Sequence, residues 1–589
     1  MAASVLIAGA GPSGLILALI LAKSGVSVRL IDKELTHRVG SKGSGIQART
    51  LELYAHLGIY DSLRAIGEHI PDIAVYEPGK TVPAKYVRLS QIAEATPGTP
   101  YPNSLNIPQD HHEAVLRTHL SALGVEVELG TELRAFDHTS SKYHVLATIV
   151  KHQADGSEVV EEGKYEWLVG TDGAHSIVRK ALGLSFLGET QEDAEMAVGD
   201  IEVHGVDPKF WHMWSAPPRT IVLRSSHPAS NVFMLAYIGI QGDIAPTGLT
   251  RDEFLNAFYE VTKLKREDVT FGEATWMSRY RPNIRMVDRM RVGRVFVAGD
   301  AAHCHSPAGG QGLNSSVADV ANLAWKLALV QKRLAPESLL DTYGEERLRV
   351  IAQMLRLTTE LYGHTMSSFG TKQQIASEAP ADPELAAGTA GRDGPAQMSV
   401  ARSGRELTML GVNYHGSSII SSEANTVTTT TEAYAKPETL SAKPAYRAPD
   451  APGLLHVVRG GDGDGTGETS LFGVFDGVKH TVLVFAPAHS ESDASDIVAF
   501  LGKLPAAAET IQSVRVLPAG TGIGAGAGAS AGFDLVLEDA QGHAYKEYNV
   551  DVNAGKTTIV VVRPDGVVGA VEGSVEGLER YFGRIFVGF

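Results

Sequence analysis

The 589-residue sequence predicts an α/β protein: a parallel β-α-β unit at the N-terminus, an inserted mixed sheet, and a smaller α/β block at the C-terminus. Three observations predict this class. Residues 4–8 (Ser-Val-Leu-Ile-Ala) form a buried-strand pattern that runs into Gly9-Ala10-Gly11-Pro12-Ser13-Gly14 and then an apolar helical stretch. The region from 190 to 280 carries strand-like segments such as Val232-Phe233-Met234-Leu235-Ala236-Tyr237. From about 452 to 589, strand and helix patterns alternate again.

The elements follow in order. Residues 15–23 read as an apolar helix ending at Gly25, and 26–31 as a second strand ending at Asp32. The run Leu15 to Ala22 could pass for a secretion signal. No basic residue precedes it, and Gly9, Gly11, Pro12 and Gly14 interrupt the approach, so a buried helix accounts for it better. Residues 145–170 read as strands around a polar turn, closing at Trp167-Leu168-Val169-Gly170. Residues 294–298 are another buried strand, which opens into a glycine-rich loop and a long amphipathic helix from about 317 to 332. Residues 372–451, with their Ala/Pro/Gly segments and the run Thr428 to Thr431, read as a surface connection. In the final block, strands are expected at 481–485, 514–517 and 558–562, and helices near 491–503 and 575–585. The Gly/Ala run from Gly520 to Gly532 reads as a flexible loop. The domain boundaries predicted are 1–185 and 286–371 for two parts of a nucleotide-binding domain, 186–285 for the inserted sheet, 372–451 for the connection and 452–589 for the C-terminal domain.

Composition narrows the function. Hydrophobic residues make up 43% and charged residues 20%, which suits a soluble, core-forming chain. Lys+Arg 52 against Asp+Glu 68 gives a net charge of −16, which argues against nucleic-acid binding. The single cysteine, Cys304, excludes an internal disulfide framework and fits a reducing, cytoplasmic compartment. No apolar run reaches the length of a membrane span.

Three segments carry the chemistry. The Gly9–Gly14 turn follows a strand, opens a helix and is followed by an acidic residue at Asp32, a Rossmann-type dinucleotide-binding context. Gly9 permits the turn, Gly11 admits a pyrophosphate to the backbone, and Gly14 lets helix and strand pack closely. The helix N-terminus offers N–H groups and a favourable dipole to the anion. The second segment is Gly170-Thr171-Asp172-Gly173-Ala174-His175-Ser176-Ile177-Val178-Arg179. The third is Gly299-Asp300-Ala301-Ala302-His303 with Ser306-Pro307-Ala308-Gly309-Gly310-Gln311-Gly312-Leu313-Asn314. Asp300, at a strand's C-terminal edge, is placed for a ribose or ribityl hydroxyl, and Gly309 to Asn314 offer N–H groups to an electron-rich carbonyl. His303, Cys304 and His305 are not read as a metal site, since adjacent loop side chains point different ways.

In this order, these motifs resemble the FAD-dependent aromatic hydroxylases, the class A flavoprotein monooxygenases. The phenol hydroxylase branch looks nearest, through Gly45-Ile46-Gln47-Ala48-Arg49-Thr50-Leu51-Glu52, His303-Cys304-His305-Ser306-Pro307, Asn322 to Leu327 and Tyr343-Gly344-Glu345-Glu346-Arg347. The C-terminal block, with Val561-Val562-Arg563-Pro564-Asp565-Gly566, resembles that branch's thioredoxin-like domain.

The resemblance implies non-covalent FAD, with the pyrophosphate at Gly9, Gly11, Ser13 and Gly14 and the adenosine ribose at Asp32, next to Lys33. It places Asp172 near the pyrophosphate with a link to NADPH use, and Asp300 on the ribityl chain. Pro307, Gly309, Gly312, Leu313 and Asn314 fall at the flavin ring, Gln109 at an FAD contact, and Lys42 or Arg49 at a basic residue near the cofactor. It implies hydroxylation of a phenol through a flavin hydroperoxide, using NADPH and O₂, by a protein that is commonly a homodimer. Candidate catalytic residues are Tyr280, Tyr237 and Ser44, the last standing where the phenol hydroxylases carry an aspartate. The C-terminal domain, which contains no cysteine, is expected to be redox-inert. The rival readings are a flavin oxidase or dehydrogenase that inserts no oxygen, and a non-enzymatic binding protein on the same fold.

Overall fold

The structure, a computed structural model, describes residues 3–588 apart from 89–91, 191–194, 226, 228, 240–241, 245–247, 282, 369–406, 423–431, 435–440, 458–466, 487–490 and 522–531. Its centre is a six-stranded sheet in the order Arg291–Val292, Val295–Val297, Trp167–Gly170, Val5–Ala8, Val28–Ile31, Val127–Glu128. All neighbours run parallel except the first pair. Val5–Ala8 and Trp167–Gly170 are buried at every position, which is why these strands read as unbroken apolar runs.

The helix Pro12–Lys23 begins earlier than the apolar run suggests, because Pro12 sits in its first turn, where a fixed φ helps and a missing N–H costs nothing. It packs against the long helix Gln311–Gln331. That second helix corrects an expectation: it is not amphipathic in the sense of having a solvent face. Gln311 and every residue from Asn314 to Val330 are buried. Its polar stripe meets charges instead of water. Asp319 binds His303 and Arg347, and Lys326 and Asn322 both bind Glu346.

The inserted sheet has seven strands, ordered Thr270–Tyr280, Glu195–His204, Val232–Gly239, Arg219–Ser225, Trp211–Ala216, Ile73–Tyr76, Lys85–Val87. Its last two strands come from within the first 185 residues, so the sheet is wider than the 186–285 segment predicts. One face packs on the helix Arg251–Thr262 through Ala197, Ile201, Leu235, Tyr237, Phe254 and Phe258.

In the C-terminal block, His480–Phe485, the helix Glu491–Leu501 and Ile511–Pro518 form a parallel unit, followed by the antiparallel pair Thr558–Val562 and Val568–Glu572 and the helix Val575–Phe582. This is the thioredoxin-like arrangement. The block is not detached: Val482, Val484, Tyr581 and Phe582 belong to the same apolar core as Val5 and Leu15. The expected surface connection is also corrected over its described parts. Leu407, Met409, Tyr414, Ala445, Arg447 and Ala448 are all buried, because this chain threads between the two domains. The Thr428–Thr431 run and most of the Gly520–Gly532 run lie outside the described residues.

Candidate active site

The three glycine-containing segments meet physically. Gly9 has φ +103°, and a Cβ there would stand 2.5 Å from the Thr171 carbonyl oxygen. A Cβ on Gly14 would lie 2.0 Å from the Gly9 carbonyl oxygen. Thr171 ties the contact by donating its hydroxyl to the Gly9 carbonyl at 2.7 Å. The third segment closes from the other side, since a Cβ on Gly299 would stand 2.5 Å from Ser13 Oγ. Arg179 links the second and third segments, donating to the Ala301 carbonyl at 2.9 Å and the Ala174 carbonyl at 2.7 Å, with its guanidinium 3.9 Å from the Phe186 ring centre.

Gly11 is different. It caps the helix Pro12–Lys23 with an ordinary φ of −71°, and an added Cβ would find no atom within 4 Å. Open space therefore lies directly before a helix N-terminus, the arrangement that receives a phosphate. Asp32 sits beside it, accepting from Ala10 N–H at 2.8 Å and Glu34 N–H at 3.0 Å. Lys33 is exposed next to it.

Asp172 turns one oxygen to the start of the helix Ile177–Ala181, accepting from the N–H groups of Ile177 at 2.8 Å and Val178 at 3.2 Å. Its other oxygen is buried without a partner, and burial raises the carboxyl above the usual range. The Asp300 side chain is exposed and accepts no hydrogen bond from a described residue. An opening ahead of Gly11, an unpaired Asp172 oxygen and an unpaired Asp300 carboxylate fit FAD, with its pyrophosphate at the helix start and a hydroxyl chain at Asp300.

The loop after Asp300 turns through Gly309 (φ +75°) and Gly310 (φ +60°) into the helix Gln311–Gln331. Asn314 clamps this loop to the strand Gly45–Ile46: it accepts from Gln47 N–H at 2.8 Å and donates to the carbonyls of Gly45 at 2.9 Å and Gly310 at 2.6 Å. Its side chain is thus spent on the loop's shape. A Cβ on Gly312 would stand 2.9 Å from His305 Nε2, while Pro307 and Leu313 lie on the same turn. Lys42 keeps part of its surface in solvent while neighbouring atoms crowd its ammonium group; that desolvation and Arg38 lower its pKa, with Asp300 opposing. Gln109 opens the helix Gln109–Ser121 and donates to Glu113 at 2.8 Å. Ser44 is half-buried, its carbonyl accepting from Ile107 N–H at 2.7 Å.

Two site expectations are corrected. Arg49 does not face the cofactor side. It is buried, donating to Glu52 at 2.8 Å and to the Asp565 carbonyl of the C-terminal domain at 2.7 Å, and Glu52 three residues on was the visible signal for this. Tyr237 sits on the wrong face of its strand. Successive strand residues alternate, so Ala236 and Ile238 face the cleft while Tyr237 packs in the opposite core, its hydroxyl donating to Asp243 at 3.2 Å. Tyr280, cross-strand from Met196, does face the cleft. It donates to the His305 carbonyl at 3.2 Å, and burial raises its pKa, so it stays a neutral donor.

The cleft-facing side of the sheet is apolar and partly open: Met196, Ala236 and Ile238 are buried, while Val198 and Val222 are half-buried. Sequence reasoning missed two residues there. Arg224 has its pKa pulled down to about 10 by burial, lies 5.3 Å from the Trp211 ring centre and donates to Met234 Sδ at 3.1 Å. Tyr362, from the helix Asp341–Ser368, packs beside Tyr280 and Ala308. The three residues after Ala302 diverge: His303 binds Asp319 at 2.7 Å, Cys304 Sγ reaches the Asp300 carbonyl at 3.7 Å, and His305 Nδ1 approaches the Ser306 carbonyl at 2.5 Å.

A parallel sheet whose glycine turn opens onto free space at a helix start, with a second acidic loop facing the apolar side of an inserted sheet, fits a nucleotide-binding enzyme. Comparison with known proteins agrees. Residues 2–358 match the family described as FAD binding domain, and residues 532–588 match the phenol hydroxylase C-terminal dimerisation domain. The chain belongs to the FAD-dependent aromatic hydroxylase family, the flavoprotein monooxygenases. It is 38% identical over 363 residues to a flavin-dependent monooxygenase of Mycobacteroides abscessus, covering 61% of this chain and 74% of that one. It is 36% identical over 357 residues to the 6-methylpretetramide 4-monooxygenase of Streptomyces rimosus, covering 60% of each. With the pentachlorophenol 4-monooxygenase of Sphingobium chlorophenolicum it shares 32% over 365 residues, covering 61% of this chain and 64% of that one. The matches to these last two span less than two thirds of their length. In fold it is similar to the solved flavin-dependent monooxygenase PieE with FAD and substrate, with a TM-score of 0.73 and 21% identity over 99% of both chains.

Proposed function

We propose that the protein hydroxylates a phenolic aromatic compound, using FAD with NADPH and O₂ as co-substrates. The observation that carries this is the placing of Tyr280 and the apolar sheet face opposite the Gly309–Asn314 loop, so that one cleft can hold a flavin ring and an aromatic ring together. When bound, FAD supplies the redox chemistry: two electrons from NADPH and one O₂ put one oxygen atom on the ring, and the other leaves as water. Gly11, Ser13 and Asp32 would hold the adenosine pyrophosphate side. Asp300 would hold the hydroxyl chain, with Lys42 nearby to balance its charge. Pro307 to Leu313 would pack the ring, with Asn314 fixing their path. The apolar face of Met196, Val198, Val222, Ala236 and Ile238 excludes water and seats the substrate ring. Tyr280, whose proton goes to the His305 carbonyl, orients the phenol by accepting a hydrogen bond from the substrate hydroxyl on its own oxygen. Ser44, beside the same loop, lacks the charge to act as the aspartate of the phenol hydroxylases would.

Two of the relatives are named for 6-methylpretetramide and pentachlorophenol, both within the class of ring compounds proposed here. The matched dimerisation segment supports a homodimer. The test is to incubate the yellow holoprotein with NADPH, ¹⁸O₂ and a panel of phenols. One labelled oxygen atom in the product supports hydroxylation; phenol-stimulated NADPH oxidation with no label in any product refutes it.

A further inference from the structure

We propose that Tyr362 is a substrate-contacting residue, its phenol hydroxyl donating a hydrogen bond to an oxygen of the aromatic substrate at the sheet side of the cleft. The proposal rests on the reading of this cleft as an aromatic site. Tyr362 is 6% exposed, and its hydroxyl oxygen is buried with no hydrogen-bond partner among the described residues. A buried hydroxyl without a partner is costly, and such groups call for an explanation. Its surroundings supply one. It belongs to one apolar cluster with Met196, Ala236 and Ile238 of the sheet, against which Tyr280 and Ala308 pack. Ala308 belongs to the loop proposed to hold the flavin ring, and Tyr280 is the cleft-facing tyrosine of the sheet itself. Two tyrosine hydroxyls therefore serve one apolar space. That of Tyr280 already donates to the His305 carbonyl. That of Tyr362 has no acceptor among the described residues and is free to donate to a ligand oxygen.

Burial raises the Tyr362 phenol to about 12, so it remains protonated and acts as a donor at neutral pH. Other buried tyrosine hydroxyls lack partners too: Tyr434 is one, but it belongs to the main core and not to the cluster on the sheet face opposite the Gly309–Asn314 loop. Location distinguishes Tyr362.

The experiment compares 2-naphthol with naphthalene, two probes of nearly the same shape of which one carries the oxygen. Binding to the holoprotein is read from the perturbation of the flavin absorbance spectrum, in wild type, Tyr362→Phe and Tyr434→Phe. The expected result is that Tyr362→Phe weakens 2-naphthol binding about three- to tenfold, the value of one ordinary hydrogen bond, and leaves naphthalene binding as it was. FAD content should stay at the wild-type level and Tm should hold or rise, because no protein partner is lost. Tyr434→Phe should leave the preference for 2-naphthol untouched. Unchanged 2-naphthol affinity in Tyr362→Phe, or equal weakening of both probes, overturns the proposal. Wild-type protein that holds FAD but binds neither probe overturns it together with the aromatic-site reading. If 2-naphthol binds with the expected Tyr362 dependence but yields no labelled product, the contact stands and the hydroxylation reading alone falls.

Discussion

A single carbon atom added at Gly11 should separate cofactor binding from folding. The position has an ordinary φ of −71° at a helix N-cap, and a Cβ built there meets no atom within 4 Å. Gly11→Ala should therefore change the apoprotein's stability by no more than about 1 kcal/mol, since alanine narrows the unfolded ensemble but caps a helix less well than glycine. The same carbon stands where a pyrophosphate must come close to the first-turn N–H groups. Pushing the phosphate away from two hydrogen bonds to charged oxygens, at about 1.5–3 kcal/mol each, removes about 3–6 kcal/mol of binding. That corresponds to about a hundredfold to ten-thousandfold weaker FAD. Gly11→Val adds two further methyl groups to the same space and should purify colourless. Gly9→Ala is the contrast: its Cβ would lie 2.5 Å from the Thr171 carbonyl oxygen at φ +103°, so the fold itself must shift. The assay is fluorescence titration of apoprotein with FAD beside urea unfolding of the same apoproteins. A Gly11→Val protein that folds and binds FAD as wild type does would refute the cradle. A Gly11→Ala apoprotein destabilised as much as Gly9→Ala would show that the open space is filled by protein.

Tyr280→Phe is expected to lower hydroxylation, or its coupling to NADPH consumption, about ten- to a thousandfold, with FAD content unchanged; wild-type turnover and coupling would reduce Tyr280 to packing. Cys304→Ser should keep FAD and most activity, because burial pushes the thiol up to about 12 and Sγ makes only a 3.7 Å contact with the Asp300 carbonyl; complete loss with normal flavin content would contradict this. Flavin reduction by NADPH, followed by stopped-flow, should be slow alone and faster with a bound phenol; equal rates with and without phenols would count against a substrate-gated enzyme. Glu346→Gln should cost about 3–5 kcal/mol in urea unfolding, because it leaves Arg563 and Lys326 buried with Asp565 as their remaining carboxylate. Burial opposes the Glu346 charge, but Arg563 and Lys326 outweigh it and hold the carboxyl well below the ordinary 4.5. Its stabilisation is therefore fully present above about pH 4.5 and is lost as the pH falls below that value, so the wild-type advantage over Glu346→Gln should shrink on acidification.

The nucleotide-binding part of the fold was legible because its signals are local. A buried strand, glycines at fixed spacing, a proline in the first turn and an acid at the next strand's end are each imposed by backbone geometry within about 30 residues. Tyr237 and Tyr280 were not separable in the same way. The strand Val232–Gly239 is buried on both faces, so every residue but Val232 is inward and the period-two signal that would tell cleft from core is absent. Tyr362 gave no sequence signal at all. It lies in mid-helix, and its significance depends on a sheet strand more than 120 residues earlier.

The polar stripe of the helix Gln311–Gln331 shows a different limit, and it bears on what the C-terminal domain does. Asp319, Asn322 and Lys326 at helical spacing read as a solvent face because their partners are remote in sequence. Glu346 joins Lys326 at 2.8 Å, and Arg563 of the C-terminal domain joins Glu346 at 2.6 and 2.9 Å. Arg49, five residues before Tyr54 of the same core, donates to the Asp565 carbonyl in that domain. The helix that carries this stripe begins at Gln311, in the loop proposed to receive the flavin ring, and Gln311 itself donates to the Leu407 carbonyl at 2.8 Å in the threaded connection. Removing residues 452–589 would therefore strip Glu346 and Arg49 of buried partners and expose the face behind the flavin loop. A domain whose removal leaves charges unpaired in another domain's core acts on the chemistry through that core's stability. Truncation should accordingly cost folding before it alters any residue of the cleft.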